Sequence, residues 1–189
     1  MDKTDEELII EYLEGNEISF RDLIARYSKP LYFFAYRMTN NPSLSEDIVQ
    51  EVCLKIWKKI SAYKIGSGTF KSWIFTIARN TTIDQLRKKK MPVISQFDTE
   101  DGHNYLMETV SDPDTIPSKL IEKAEQKNMI DGAMQHLSLE EREILTLHYQ
   151  EEMTFEAIGK ILNKPLNTVK SRHRRAVMKL RQYLGETDN

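Results

Sequence analysis

The sequence predicts an all-α protein of two small helical domains joined by an acidic flexible linker, and three observations predict it. Apolar residues recur at helical spacing on both sides of a single stretch that has no period. Only 7 Gly and 6 Pro are spread over 189 residues, which favours helices over turn-rich β structure. The aperiodic stretch, residues 92–118, holds three of those prolines and six acids with no Lys or Arg, the composition of a tether. The expected organisation is therefore a first domain over residues 1–91, a linker over 92–118, and a second domain over 119–189.

Each helix is expected from a start and a stop. Thr4 and Glu7 have capping-box spacing at the head of an acidic helix. Ser19 with Asp22 marks a second start, before Phe20, Leu23, Ile24 and Tyr27, with helix to about Thr39. Asn40, Asn41 and Pro42 break it, and Ser43 with Glu46 restarts it through Ile60. After the glycine-containing loop "SAYKIGSG", Thr69 caps a helix from Phe70 to about Lys90, which Pro92 ends. Helical spacing returns at Leu120, Ala124, Ile130, Met134 and Leu137. Ser138 with Glu141 makes another capping box ahead of Ile144, Leu145 and Leu147. Thr154 caps a short helix carrying Phe155, Ile158, Ile161 and Leu162. Asn163 can take the left-handed conformation that ends it, Pro165 cannot continue it, and Asn167 or Thr168 can cap the last helix.

A net charge of −2 conceals strong segregation. Residues 1–17 hold seven acids and one Lys, residues 55–90 ten Lys or Arg and one acid, and residues 157–185 eight Lys or Arg and no acid. Blocks of opposite sign point to a polyanionic partner, with acidic segments that tune access to it. Cys53 is the single cysteine, so neither an intrachain disulfide nor a multi-cysteine metal site is expected, in keeping with a reducing cytoplasm. No export signal is recognisable, and no apolar run approaches the roughly 20 residues that span a bilayer, so no membrane insertion is expected.

Three constellations carry chemistry. In the last helix, Val169, His173, Ala176, Val177, Leu180 and Leu184 share one apolar face, with His173 a core or rim residue. The other side presents Lys170, Ser171, Arg174 and Arg175, with Arg172 and Lys179 at its margin. Preceded by a short apolar helix and a tight turn, this is a helix-turn-helix whose second helix can enter the major groove. Arg can bond guanine there in bidentate fashion, whereas Lys and Ser suit phosphate; the sequence leaves base and phosphate roles unassigned. In "SEDIVQEVCLKIWKKI", residues 45–60, Ile48, Val49, Val52, Ile56 and Ile60 form a buried arc. The opposite arc carries Asp47, Gln50, Glu51 and Lys58, with Leu54 projecting among them as the centre of a protein-docking face. In "TFKSWIFTIARNTTIDQLRKKK", residues 69–90, Phe70, Trp73, Ile74 and Ile77 face the core. Asn80, Asp84 and Arg87 form a strip that ends in the basic run Arg87 to Lys90, an arrangement that suits single-stranded nucleic acid.

"SEDIVQEVCLKIW", "FKSWIFTIARNTTIDQLRKKK" and "TFEAIGKILNKPLNTVKSRHRRAVMKLR", in this order and spacing, resemble a bacterial RNA polymerase sigma factor of the extracytoplasmic-function (ECF) type over about residues 20–91 and 125–184. The resemblance implies a sigma region 2 domain for polymerase docking, −10 recognition and melting. It also implies a linker threading the polymerase cleft and a region 4 domain that reads the −35 element. Asp47, Gln50, Glu51, Leu54 and Lys58 then match the segment that docks on the β′ clamp. Tyr63 and Lys64 of the 61–69 loop, with Asn80, Asp84, Arg87 and Lys88, match the capture site for the −10 non-template strand. Thr168, Lys170, Ser171, Arg172, Arg174 and Arg175 match the −35 reading face. Core RNA polymerase (β′ clamp and β flap), promoter DNA and an anti-sigma factor are the implied partners. Two departures stand out: Cys53 replaces an aromatic of the clamp-docking motif, and Asn167 a glycine before Thr168.

Other classes fit less of the chain. A helix-turn-helix transcriptional regulator with an N-terminal sensing or partner-binding domain would share the second domain. Residues 45–90, however, offer a docking face and a basic strip where a sensor needs a pocket. For an enzyme, His103, His136, His148 and His173 are scattered, no glycine loop cradles phosphate, and Glu46, Asp47 and Glu51 read as helix surface. No catalytic residue, metal or cofactor is expected.

Overall fold

A computed structural model of the chain describes residues 3–90 and 129–184. The linker 92–118 and the positions Leu120 and Ala124 lie outside the described residues.

The first helical group is α1 (Asp5–Leu13), α2 (Glu17–Thr39), α3 (Pro42–Lys59) and α4 (Phe70–Lys90), with a 3-10 turn at Ile60–Ala62. Thr4 and Glu7 close the expected capping box on α1. The start of α2 differs from the expected one. Asn16, following Gly15 at φ 105°, caps it by accepting the Ile18 N–H at 3.1 Å. Ser19 is buried instead, donating its hydroxyl to Glu11 of α1. Asn40 ends α2 in the left-handed conformation (φ 50°). Asn41 then accepts the Leu44 N–H at 2.8 Å, so α3 begins at Pro42 and not with Ser43 as its cap. Proline suits this first position because the N–H it lacks would have no helical partner there. Thr69 caps α4 as expected, accepting the Ser72 N–H at 3.2 Å.

The second group is α5 (described over residues 129–135), α6 (Leu139–Leu145) with a π-helical turn at Thr146–Gln150, α7 (Phe155–Leu162) and α8 (Leu166–Leu184). Ser138 with Glu141, Thr154 and Asn163 (φ 51°) cap as expected. The last helix starts earlier than Asn167 or Thr168 would place it. The Pro165 carbonyl accepts the Thr168 and Val169 N–H groups at 2.9 and 3.1 Å, which draws Leu166 and Asn167 into α8. No strand occurs among the described residues.

Leu23, Leu31, Phe34, Ile48, Val52, Ile56, Phe70, Ile74 and Phe75 fill the first core, with Phe34 edge-on to Phe75 at 5.5 Å. Each such side chain stabilises the fold by roughly 1.5 to 3 kcal/mol through burial. Ile144, Leu147, Ile158, Ile161, Leu162 and Val169 of the second group continue this core, because α4 packs on α7 and α2 on α6. A smaller cluster of Met134, Leu137, Leu145 and Ala176 seats the distal half of α8.

Candidate nucleic-acid interface and docking face

The helix-turn-helix of α7 and α8 is closed by backbone contacts. Asn163 reverses the chain, and the Lys164 N–H donates to the Gly159 carbonyl at 2.9 Å. A Cβ at Gly159 would lie 2.9 Å from the Lys164 carbonyl oxygen, so only glycine lets the returning chain lie this close. Val169 is fully buried beneath the turn. A ring cluster supports the underside of α8: His148 stacks on Phe155 at 4.4 Å, and His173 Nε2 lies 3.1 Å from the Tyr149 hydroxyl. Burial, and then the neighbouring His148, lowers the His173 pKa below its ordinary value. His173 is thus the rim residue its helical phase predicts.

Lys170, Ser171, Arg174 and Arg175 are all exposed on the outward face of α8, and Thr168 is half-buried at its start. Arg172, grouped with them in the sequence, requires a correction. It pairs with Glu140 of α6 and is 30% exposed, so its charge is spent on holding α8. Lys179 does the same with Glu141, at 2.8 and 2.9 Å from the two carboxylate oxygens.

On α3, Leu54 is 58% exposed, with Asp47, Gln50 and Lys58 exposed around it. Glu51 is half-buried and ties α3 to α4. It meets Lys55 at 2.7 Å and accepts from Gln85 Nε2 at 2.6 Å, and these two bonds lower its pKa. Trp57, 54% exposed and one helical turn beyond Leu54, extends this face. It escaped the sequence reading although its spacing of three from Leu54 was there to be used.

On α4, Asn80, Arg87 and Lys88 are exposed, and Asp84 is half-buried with Arg87 3.2 Å away. Lys64 is exposed in the preceding loop. Tyr63 requires the second correction. Its ring is 7% exposed, packs 5.4 Å from both Phe70 and Trp73, and donates its hydroxyl to the Gly68 carbonyl at 2.8 Å. An apolar pocket and a backbone acceptor close by claim the side chain, which braces the loop from inside.

Described residues with helices and no strand, a helix-turn-helix with exposed cations on its outer helix, and a first helical group carrying a basic strip beside the exposed Leu54 and Trp57 have the architecture of a DNA-binding transcription protein. Residues 23–91 match the Sigma-70 region 2 family and residues 133–182 the Sigma-70, region 4 family. The chain is 31% identical over 175 residues to ECF RNA polymerase sigma factor SigW of Bacillus subtilis, covering 92% of each. It is 30% identical over 177 residues to RNA polymerase sigma factor CarQ of Myxococcus xanthus, covering 94% of this chain and 95% of CarQ. Two solved structures share the fold. The sigma factor RpoE in complex with the anti-sigma factor NepR from Bartonella quintana has a TM-score of 0.66 at 24% identity, covering 89% of this chain and 98% of that one. CnrH in complex with the cytosolic domain of CnrY has a TM-score of 0.67 at 19% identity, covering 98% and 100%. The chain belongs to the ECF family of RNA polymerase sigma factors, non-enzymatic subunits that direct core polymerase to promoters. Among the described residues, no helix is long and apolar enough to cross a membrane.

Proposed function

We propose that residues 1–91 dock on core polymerase and capture the melted −10 element, that residues 92–118 connect the domains, and that residues 119–189 read the −35 element and contact the β flap. Asp47, Gln50, Leu54 and Lys58, joined by Trp57, seat on the β′ clamp, while Glu51 keeps α3 in register with α4. Lys64, Asn80, Asp84, Arg87 and Lys88 line the path of the non-template strand, and binding the separated bases offsets part of the cost of melting. Lys170, Ser171, Arg174 and Arg175 enter the major groove, and Thr168 at the helix start faces phosphate. The observation that carries this reading is that none of Lys170, Arg174 and Arg175 takes part in an ion pair among the described residues, while Arg172 and Lys179 on the same helix do. The cations left open are those whose helical phase faces outward from the turn.

The protein acts in the cytoplasm, where the polymerase works. It is held by an anti-sigma factor, a proposal supported by the complex in which RpoE was solved with the anti-sigma factor NepR. The test is run-off transcription with purified core enzyme on a genomic library from the protein's own source. Initiation that depends on adding the chain is the expected result. A regulator with a sensing domain would confer none on bare core enzyme.

A further inference from the structure

Arg172 and His173, neighbours on α8, are anchored on two sides by one stretch of chain. Arg172 pairs with Glu140 of α6, and His173 Nε2 lies 3.1 Å from the Tyr149 hydroxyl on the π-helical turn that continues α6. That turn is closed by the Glu151 N–H, which donates to the Thr146 carbonyl at 3.2 Å. Turns of this width are rare and tend to occur at functional sites. Adjacent side chains of an α-helix diverge by about 100°. Here His148 and Tyr149 both reach His173, with ring centroids 5.2 and 5.6 Å away. Phe155 of α7 closes the cluster at 5.0 Å. The Met153 carbonyl, 3.0 Å from His148 Nδ1, can only accept, so Nδ1 carries the His148 proton.

We propose that this ring cluster positions α8 for −35 reading, and that its two histidines make promoter selectivity fall in acid. The inference rests on the functional reading above. Arg174 and Arg175 follow His173 directly and are exposed. Rotating α8 by about 20° would move a guanidinium ~6 Å from the helix axis by ~2 Å, more than a bidentate hydrogen bond tolerates. The anchors at Arg172 and His173 fix that rotation. Protonating both histidines would set two like charges 5.2 Å apart beneath the helix. Their repulsion exceeds a factor of about ten in the equilibrium even at an effective dielectric constant near about 20. The surroundings do not offset it. Lys170 stands one turn before His173, Arg172 and Arg174 stand beside it, and Phe155 of α7 carries no charge. Glu140 and Glu141 of α6 are taken by Arg172 and Lys179. Burial and His148 already lower the His173 pKa. The support is therefore complete above the ordinary histidine value of about 6.5 and is lost as pH falls below it toward the lowered one.

The test uses the full chain, first alone and then assembled with core polymerase. Alone, hydrogen exchange gives protection factors for the α8 amides from about pH 7.5 to about pH 5. Relative to those of α3, they should fall about tenfold over residues 169–176 of the wild type. They should stay level in His173→Gln, whose amide can still bond Tyr149 but takes no charge. In the holoenzyme, fluorescence anisotropy on the preferred −35 duplex and on a scrambled one gives a selectivity ratio. The generic attraction of an added cation for phosphate cancels in that ratio. The ratio should fall with pH in the wild type and stay level in His173→Gln. Tyr149→Phe, which loses the hydroxyl alone, should lower it about three- to fivefold at neutral pH. Matching exchange profiles for wild type and His173→Gln would overturn the proposal. So would a ratio that stays level while α8 loosens, or a Tyr149→Phe chain as selective as the wild type. Exchange that behaves as stated, with neither duplex preferred at any pH, would sink the sigma-factor reading and leave the acid-labile support of α8 standing.

Discussion

Replacing glycine by alanine should have opposite signs at two helical positions of this protein, because a Cβ meets different surroundings at each. Alanine in a helix interior is favoured over glycine by about 1 kcal/mol. At Gly132 in α5 nothing lies within 4 Å of an added Cβ, so Gly132→Ala should stabilise the chain by about 0.5 to 1 kcal/mol. At Gly159 the Cβ would stand 2.9 Å from the Lys164 carbonyl oxygen and 3.8 Å from Val169 Cγ2. Ordinary carbon-to-oxygen contacts begin near 3.3 Å, so the carbonyl must retreat by about 0.4 Å. That carbonyl is backbone, fixed between the left-handed Asn163 and Pro165, and its own N–H makes the 2.9 Å bond that closes the turn. Overpacking of this kind costs about 1 to 3 kcal/mol, and weakening the hydrogen bond up to about 1 kcal/mol more. After the gain in helix propensity, Gly159→Ala should lose up to about 3 kcal/mol, and the displaced first turn of α8 should weaken promoter binding. Urea unfolding followed by circular dichroism measures the first effect, and fluorescence anisotropy on a promoter duplex the second. A Gly159→Ala chain as stable as Gly132→Ala, with unchanged DNA affinity, would refute the tight turn.

Leu54→Asp should change stability by less than about 0.5 kcal/mol, since the side chain is 58% exposed, while weakening core polymerase binding in a titration; an unfolded variant would put Leu54 in the core. Arg174→Ala or Arg175→Ala should cost about 1 to 3 kcal/mol on the preferred −35 sequence and much less on scrambled DNA. Lys164→Ala should weaken both DNAs alike in the same anisotropy series. Arg172→Ala should leave that selectivity intact and lose, like Glu140→Ala, less than about 1 kcal/mol of stability, with the double variant no worse than either single one. Burial, the largest influence, raises the Glu141 pKa, but bonds from Lys179 and Ser138 outweigh it and the net shift is downward. Its contribution to stability is therefore complete above the unfolded carboxylate range and is lost as pH falls through the lowered value. Glu141→Gln should flatten the decline of thermal stability between about pH 5 and pH 3.

Local chemistry explains which parts of the fold were legible. Thr4, Thr69, Ser138, Thr154 and the left-handed Asn40 and Asn163 act within four residues of themselves, and all sit where the sequence puts them. The displaced starts of α2 and α3 share one cause, a second capping residue upstream of the expected one, Asn16 or Asn41, that closes its bond first, whereas α8 starts early because the Pro165 carbonyl accepts the Thr168 and Val169 N–H groups. Tyr63, Arg172 and Glu143 were illegible for a different reason. Each is defined by a partner beyond its own helix, Tyr63 by Phe70 and Trp73, Arg172 by Glu140, and Glu143 by Arg79. Periodicity separates an inward from an outward face, but it does not reveal which outward charges another element will cover. The exposed Leu54 was legible because polar neighbours on its own helix frame it, and Trp57 was lost at the edge of that frame.

The turn between α7 and α8 is secured by Gly159, Asn163, the Pro165 carbonyl and the buried Val169. Lys170, Arg174 and Arg175 stand outside that arrangement and hold nothing in place by an ion pair. On the proposed function, promoter preference and structural integrity are written in separate residues. Exchanging the outward side chains for those of another sigma factor should redirect the protein to other promoters without a loss of folding, so that new regulons can arise from a few substitutions on one unchanged scaffold.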